Sequence, residues 1–118
     1  MPRLLIPLLG LEVAPRFDLA TEVWIGELDA ATPEHITGST IIVLPQASAE
    51  DLCQLILKEA VDVVLCGGIE EEFYDYLQWK RIQVIDSVIA LADDAARAYG
   101  RGELGPGTPD IRVLLPRG

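Results

Sequence analysis

The chain has 118 residues, half of them apolar, with a mean hydropathy of +0.29, which is enough for one packed core and too apolar for a disordered chain. Nineteen acids against nine bases give a net charge of −10, so phosphate backbones and anionic membranes are poor partners. The charge is uneven: residues 1–49 sum to −4, residues 50–94 to −8 and residues 95–118 to +2.

In chain order, Arg3–Leu9 is a short apolar run closed by Gly10 and reads as a first buried strand. Pro7 interrupts it and Glu12 follows, which argues against a signal-peptide core. Gly10–Asp18 reads as a loop, Ala20–Leu28 as a second strand, and Asp29–Thr37 as a turn or long hairpin loop. Ser39–Leu44 is a β-branched run closed by Pro45 and reads as a third strand, completing an antiparallel meander. A helix then opens at Ser48, with Leu52, Leu55, Ile56 and Ala60 at helical spacing. Val61–Cys66 is a near-continuous apolar run, as expected of a strand buried on both faces. Glu70–Arg81 reads as a second helix, Ile82–Ile85 as a short strand, Asp86–Leu91 as a connection and Ala92–Tyr99 as a third helix ended by Gly100 or Gly102. The order β-β-β-α-β-α-β-α predicts an α/β protein with a mixed sheet of about five strands flanked by helices. Beyond a Gly/Pro linker that starts at Gly105, Ile111–Leu115 has strand character: an edge strand, a segment docked on its own core, or one paired with another subunit. No stretch approaches the length of a transmembrane helix.

Three constellations could carry chemistry. Cys66-Gly67-Gly68-Ile69 lies between a buried strand and a helix, where glycines permit close approach and strand ends of α/β sheets gather ligands. Cys66 is either a soft metal ligand or a small buried hydrophobe, and Glu70–Glu72 follow at once, which oppose an anionic ligand. Pro15-Arg16-Phe17-Asp18 sets a cation, an aromatic and a carboxylate together; Arg16 either pairs locally with Asp18 or faces an oxyanion. Phe73–Lys80 concentrates four of the seven aromatics and is an aromatic helix that could serve a partner surface. No zinc-type Cys/His spacing and no nucleophile–base pair is present, so no enzyme signature emerges. Two isolated cysteines, Cys53 and Cys66, fit a reduced, cytoplasmic protein.

Several of these motifs line up with one family. Leu4-Leu5-Ile6-Pro7, Val13–Asp18, Val61–Ile69 and Ala95–Leu104 together resemble the dinitrogenase iron–molybdenum cofactor biosynthesis domain family, in order and spacing, over about residues 3–104. The resemblance implies an RNase H-like three-layer α/β fold for a domain at 1–104, with 105–118 as an extension. It implies a non-catalytic role: binding or carrying a metal–sulfur cluster, iron–sulfur or molybdenum-containing, or a related small ligand. By position, Pro15, Arg16, Phe17 and Asp18 with Cys66, Gly67, Gly68 and Ile69 would flank that ligand, and Cys66 would be its metal-binding residue. Many members carry a histidine just before the first helix, where this chain has Pro45-Gln46-Ala47-Ser48. The alternative is an interaction module on the same fold that has lost the cluster site and forms a homo-oligomer or binds a protein through the aromatic helix or the C-terminal extension.

Overall fold

The computed structural model describes residues 2–32 and 34–104, together with the backbone of residues 112–113. Among them the main sheet has six strands: β1 (Arg3–Leu9), β2 (Glu12–Val13), β3 (Glu22–Leu28), β4 (Ile36–Val43), β5 (Val63–Leu65) and β6 (Gln83–Ile85). Its path is β4-β3-β1-β5-β6, with β2 folded back on β1 as a short hairpin. The expected meander is present, since β1, β3 and β4 pair antiparallel. The expected parallel pairing is present too, since β5 pairs parallel with both β1 and β6.

Alternation along β1 decides the layers, because successive strand residues face opposite sides. Leu4, Ile6 and Leu8 join Trp24, Val63, Leu65 and Ile85 under α3 (Ala92–Gly100), whose Ala92, Ala95, Ala96 and Ala98 let helix and sheet approach closely. Leu5 joins Val23, Ile25, Val64 and Val84 on the opposite face. That face is covered by α1 (Ala49–Lys58) through Leu52, Cys53 and Ile56, and by α2 (Glu71–Trp79) through Leu77. Ser48 caps α1 as its sequence position predicts: its Oγ accepts from the Asp51 amide at 3.2 Å.

Four expectations need correction. The predicted loop Gly10–Asp18 contains β2 and a 3-10 turn at Phe17–Leu19. The predicted connection Asp86–Leu91 contains β7 (Val88–Ile89). The predicted turn Asp29–Thr37 is shorter, because β4 begins at Ile36, across a register shift opposite Glu27 and Leu28. The sheet therefore exceeds the expected five strands, and β7 forms a second, two-stranded sheet with β8 (Arg112–Val113). Two-residue strands carry too few side chains to show alternation; they exist because neighbouring backbone is already in place to pair with them. Of the readings left open for the C-terminal extension, the described backbone pairs parallel with β7 of the same chain, Val88 opposite Arg112 and Ile89 opposite Val113.

Candidate functional site

Because β1, β5 and β6 run parallel, their carboxyl ends reach the same edge of the sheet, and this edge collects the singled-out motifs. The loop after β2 crosses over the turn after β5. The Gly68 amide donates to the Pro15 carbonyl at 2.7 Å, the Phe17 amide donates to the Gly68 carbonyl at 2.8 Å, and Arg16 and Gly68 form an isolated parallel bridge. Residues about fifty positions apart in the chain are thus stitched into one surface.

The eight expected residues divide by burial. Pro15, Arg16 and Gly68 are exposed, and Asp18 and Ile69 are partly so. Phe17 is a core residue at 1 % exposure, its ring 6.3 Å from that of Phe73, and it pins the loop to α2. Gly67 is buried for a steric reason. A Cβ there would lie 2.5 Å from the Ala14 carbonyl oxygen and 2.6 Å from that of Pro15. Its smallness serves the chain's own loop, whereas at Gly68 the nearest atom, the Pro15 oxygen, is 3.3 Å away.

Arg16 and Asp18 form a fork at the mouth of this surface. Nε donates to Asp18 Oδ1 at 3.1 Å and Nη2 to Oδ2 at 2.7 Å. The Arg16 side chain nevertheless stays 59 % exposed, so the guanidinium keeps a face to solvent. Gly68 leads directly into α2, where the Phe73 and Tyr74 amides donate to the Glu70 carbonyl, the Glu71 and Glu72 amides have no carbonyl one turn earlier in the helix, and Glu70, at the N-cap, makes no side-chain capping bond. Glu70, Glu71 and Glu72 are exposed there.

Cys66 is fully buried. Its amide donates to the Ile85 carbonyl at 3.0 Å and its carbonyl accepts from the Val88 amide at 3.0 Å. Burial pushes the thiol well above its ordinary range, and the charge of Asp86 adds to the effect. A metal takes the thiolate, which this position disfavours. Among the described residues no group of three or more His, Cys, Asp and Glu side chains gathers to hold a metal ion. The donor set at this edge therefore does not fit a metal held by the chain's own ligands.

One feature escaped the sequence reading. Asp86-Ser87, after β6, reaches the same edge: the Ser87 amide donates to the Gly67 carbonyl at 3.1 Å, and Ser87 sits at φ +60°. Positive φ at a residue with a Cβ is strained backbone held by its surroundings. A polar pair directly after a buried strand was the available signal. A shallow cavity of about 230 Å³ lies at the opposite end of the sheet, walled by Arg3, Glu27 and Thr37–Thr40. There Arg3 is already engaged by Glu27 at 2.8 Å and Glu59 at 3.0 Å, which leaves the carboxyl edge as the better candidate.

No helix among the described residues is long and apolar enough to cross a membrane. The fold is shared with solved structures. PH0822 aligns with a TM-score of 0.77 at 20 % identity, over 90 % of this chain and 95 % of the other. MJ0327 from Methanocaldococcus jannaschii gives 0.71 at 20 %, over 87 % and 91 %. The apo form of the orange protein from Desulfovibrio gigas gives 0.71 at 21 %, over 92 % and 94 %. No curated protein matches the sequence. The sequence profile described as dinitrogenase iron-molybdenum cofactor matches residues 8–102, a span that holds both stitched loops. The chain belongs to the dinitrogenase iron-molybdenum cofactor family.

Proposed function

We propose that the chain is a non-catalytic, cytoplasmic cofactor-handling domain on an RNase H-like scaffold. Its carboxyl edge holds a small anionic ligand, of the class of a molybdenum- or iron-containing sulfide precursor, between the Pro15–Asp18 loop and the start of α2. Membership of the family supports the setting. The observation that carries the reading is the Arg16–Gly68 bridge, which joins the loop bearing a half-exposed guanidinium to the turn that leads into α2. A guanidinium and backbone amides bind an anion by charge and hydrogen bonds, and here they must outweigh the exposed carboxylates of Glu70, Glu71 and Glu72 at the start of the same helix. In this reading Cys66 has a packing role and supplies no ligand atom.

Equilibrium dialysis against tetrathiomolybdate, with molybdenum counted by elemental analysis, tests this. Wild type retains the anion. Arg16→Ala weakens retention about tenfold, the equivalent of about 1.4 kcal/mol, while Cys66→Ser retains it as wild type does. A wild type that retains no molybdenum, or an Arg16→Ala protein that binds unchanged, defeats the reading.

One observation favours a second reading, that of an interaction module. Trp79 is 74 % exposed at the end of α2, with Lys80 Nζ 4.8 Å from its ring centroid and the Tyr76 ring 6.4 Å away. An exposed indole of this kind suits a protein partner, met through the aromatic helix or the C-terminal extension. Loss of a co-purifying partner on Trp79→Ala, with no anion bound by wild type, supports this second reading over the first.

A further inference from the structure

β4 is a long open edge. Seven of its eight residues pair with β3 on one side, and among the described residues no strand pairs with it on the other. Sheet edges are ordinarily blunted by charge, by proline or by shortness. From Ile36 to Val43 the sequence Ile-Thr-Gly-Ser-Thr-Ile-Ile-Val carries no charge and no proline, although the chain as a whole carries −10. Ile41 and Val43 are 53 % and 67 % exposed.

The register identifies which backbone groups are unused. The Leu44 amide donates to the Thr21 carbonyl at 2.7 Å, so Leu44 and Thr21 are a hydrogen-bonded pair. Antiparallel ladders alternate bonded and non-bonded pairs. With Val23 opposite Ile42 and Ile25 opposite Thr40, the even-numbered residues of β4 bond inward. The amides and carbonyls of Ser39, Ile41 and Val43 point outward. The register shift near Thr37 bounds this set at one end, and Pro45, which has no amide hydrogen, bounds it at the other.

We propose that a second copy of this chain docks on β4, antiparallel, about a two-fold axis at Ile41. That register sets Ile41 opposite its own copy and Ser39 opposite Val43 of the other chain, so all three outward-facing residues bond in both copies. It also sets Thr37, at the register shift, opposite Pro45, so the two boundaries meet each other. Charge selects the occupant. Two copies at −10 repel over most of their surfaces, and an uncharged strand is where they can approach; a basic partner would find nothing on β4 to pair with. The contact is only about 17 Å long, five residues at about 3.4 Å each, so it falls below the area of a permanent dimer and forms an exchanging one. Binding at the carboxyl edge is a separate matter and can fail without affecting this proposal.

Sedimentation equilibrium over a range of concentrations tests it. The weight-average mass of wild type climbs from 12.9 kDa toward twice that value, and more readily at high salt. Ile41→Pro removes an outward amide and leaves the β3 ladder intact; Ile41→Lys sets two cations face to face on the axis. Each, checked for native circular dichroism, shifts the dissociation constant upward at least tenfold. The register has its own test. Thr40 and Ile42 oppose each other across the axis as a non-bonded pair with close Cα atoms. A mixture of Thr40→Cys and Ile42→Cys chains therefore cross-links on mild oxidation far more than either chain alone. A wild type that stays monomeric at millimolar concentration, variants that dimerise equally well, or no preferential cross-link in the mixture overturns the proposal. A monomer that instead captures extended peptides along β4 assigns the edge to a different partner and overturns it as well.

Discussion

At the scale of single residues, the Cys66-Gly67-Gly68 turn shows what a motif does and does not announce. The sequence marks two glycines at a strand end and points to close approach, and close approach is present. Its object is the chain's own Ala14 and Pro15 carbonyls, which no local pattern could reveal because the contact is made across the fold. Neither glycine has a positive φ, so the requirement is space. Gly67→Ala must push two backbone carbonyls aside and should cost about 1–3 kcal/mol, the range of over-packed cores. Gly68→Ala has one neighbour at 3.3 Å and should cost under about 1 kcal/mol. Urea denaturation of the two variants measures the contrast, and equal costs would show that the two loops are not locked together through Gly67. Arg16 and Asp18 were legible as a pair. Phe17 was not legible as a core residue, because its burial depends on Phe73 in a distant helix.

At the scale of elements, the three helices of the described residues end alike. In each, a residue at positive φ follows the helix, at Ala60 (+54°), Arg81 (+65°) and Gly102 (+77°). Two backbone bonds then close the last turn: Val61 to Ile56 and Ala60 to Leu57, Ile82 to Leu77 and Arg81 to Gln78, Glu103 to Ala98 and Gly102 to Tyr99, amide to carbonyl in each case. This is the Schellman pattern, whose left-handed position favours glycine. The sequence marked the third helix end through its glycines and could not mark the first two, where Ala60 and Arg81 occupy the strained position. Left-handed backbone costs a residue with a Cβ about 1–2 kcal/mol, part of which glycine returns through its freer unfolded chain. Ala60→Gly and Arg81→Gly should therefore each stabilise by about 0.5–1 kcal/mol, and Gly102→Ala should destabilise by a similar amount. Denaturant midpoints decide this; a destabilised Ala60→Gly protein would contradict the closure described. The long elements were legible from periodicity. The two-residue strands β2 and β7 were not, since they arise from pairing and not from pattern.

At the scale of the whole molecule, the net charge of −10 and the buried titratable groups push stability the same way as pH rises, and they can be separated. Cys53 is raised from 9.0 to about 11, mainly by burial and further by the charge of Glu50. Cys66 is raised mainly by burial, then by Asp86, and Tyr99 mainly by burial, then by Asp62. Each is an acid whose folded form holds its proton beyond the pH at which the unfolded chain releases it. The folded state thus binds more protons than the unfolded state above pH 9.0, and stability falls as pH rises. For Cys53 that contribution is complete below pH 9.0 and lost as pH climbs through about 11. Self-repulsion among the acids grows over the same range as thiols and phenols ionise, but salt screens it within about 10 Å at 0.1 M. Burial of a neutral thiol is not screened. Denaturant midpoints between pH 8 and pH 11 should decline at both low and high salt. Added salt should raise the whole curve without flattening it, and Cys53→Ala should make the decline shallower, with Cys66 and Tyr99 carrying the remainder. A decline that vanishes in high salt would assign the effect to surface charge alone and place both cysteines outside the apolar layers described for them.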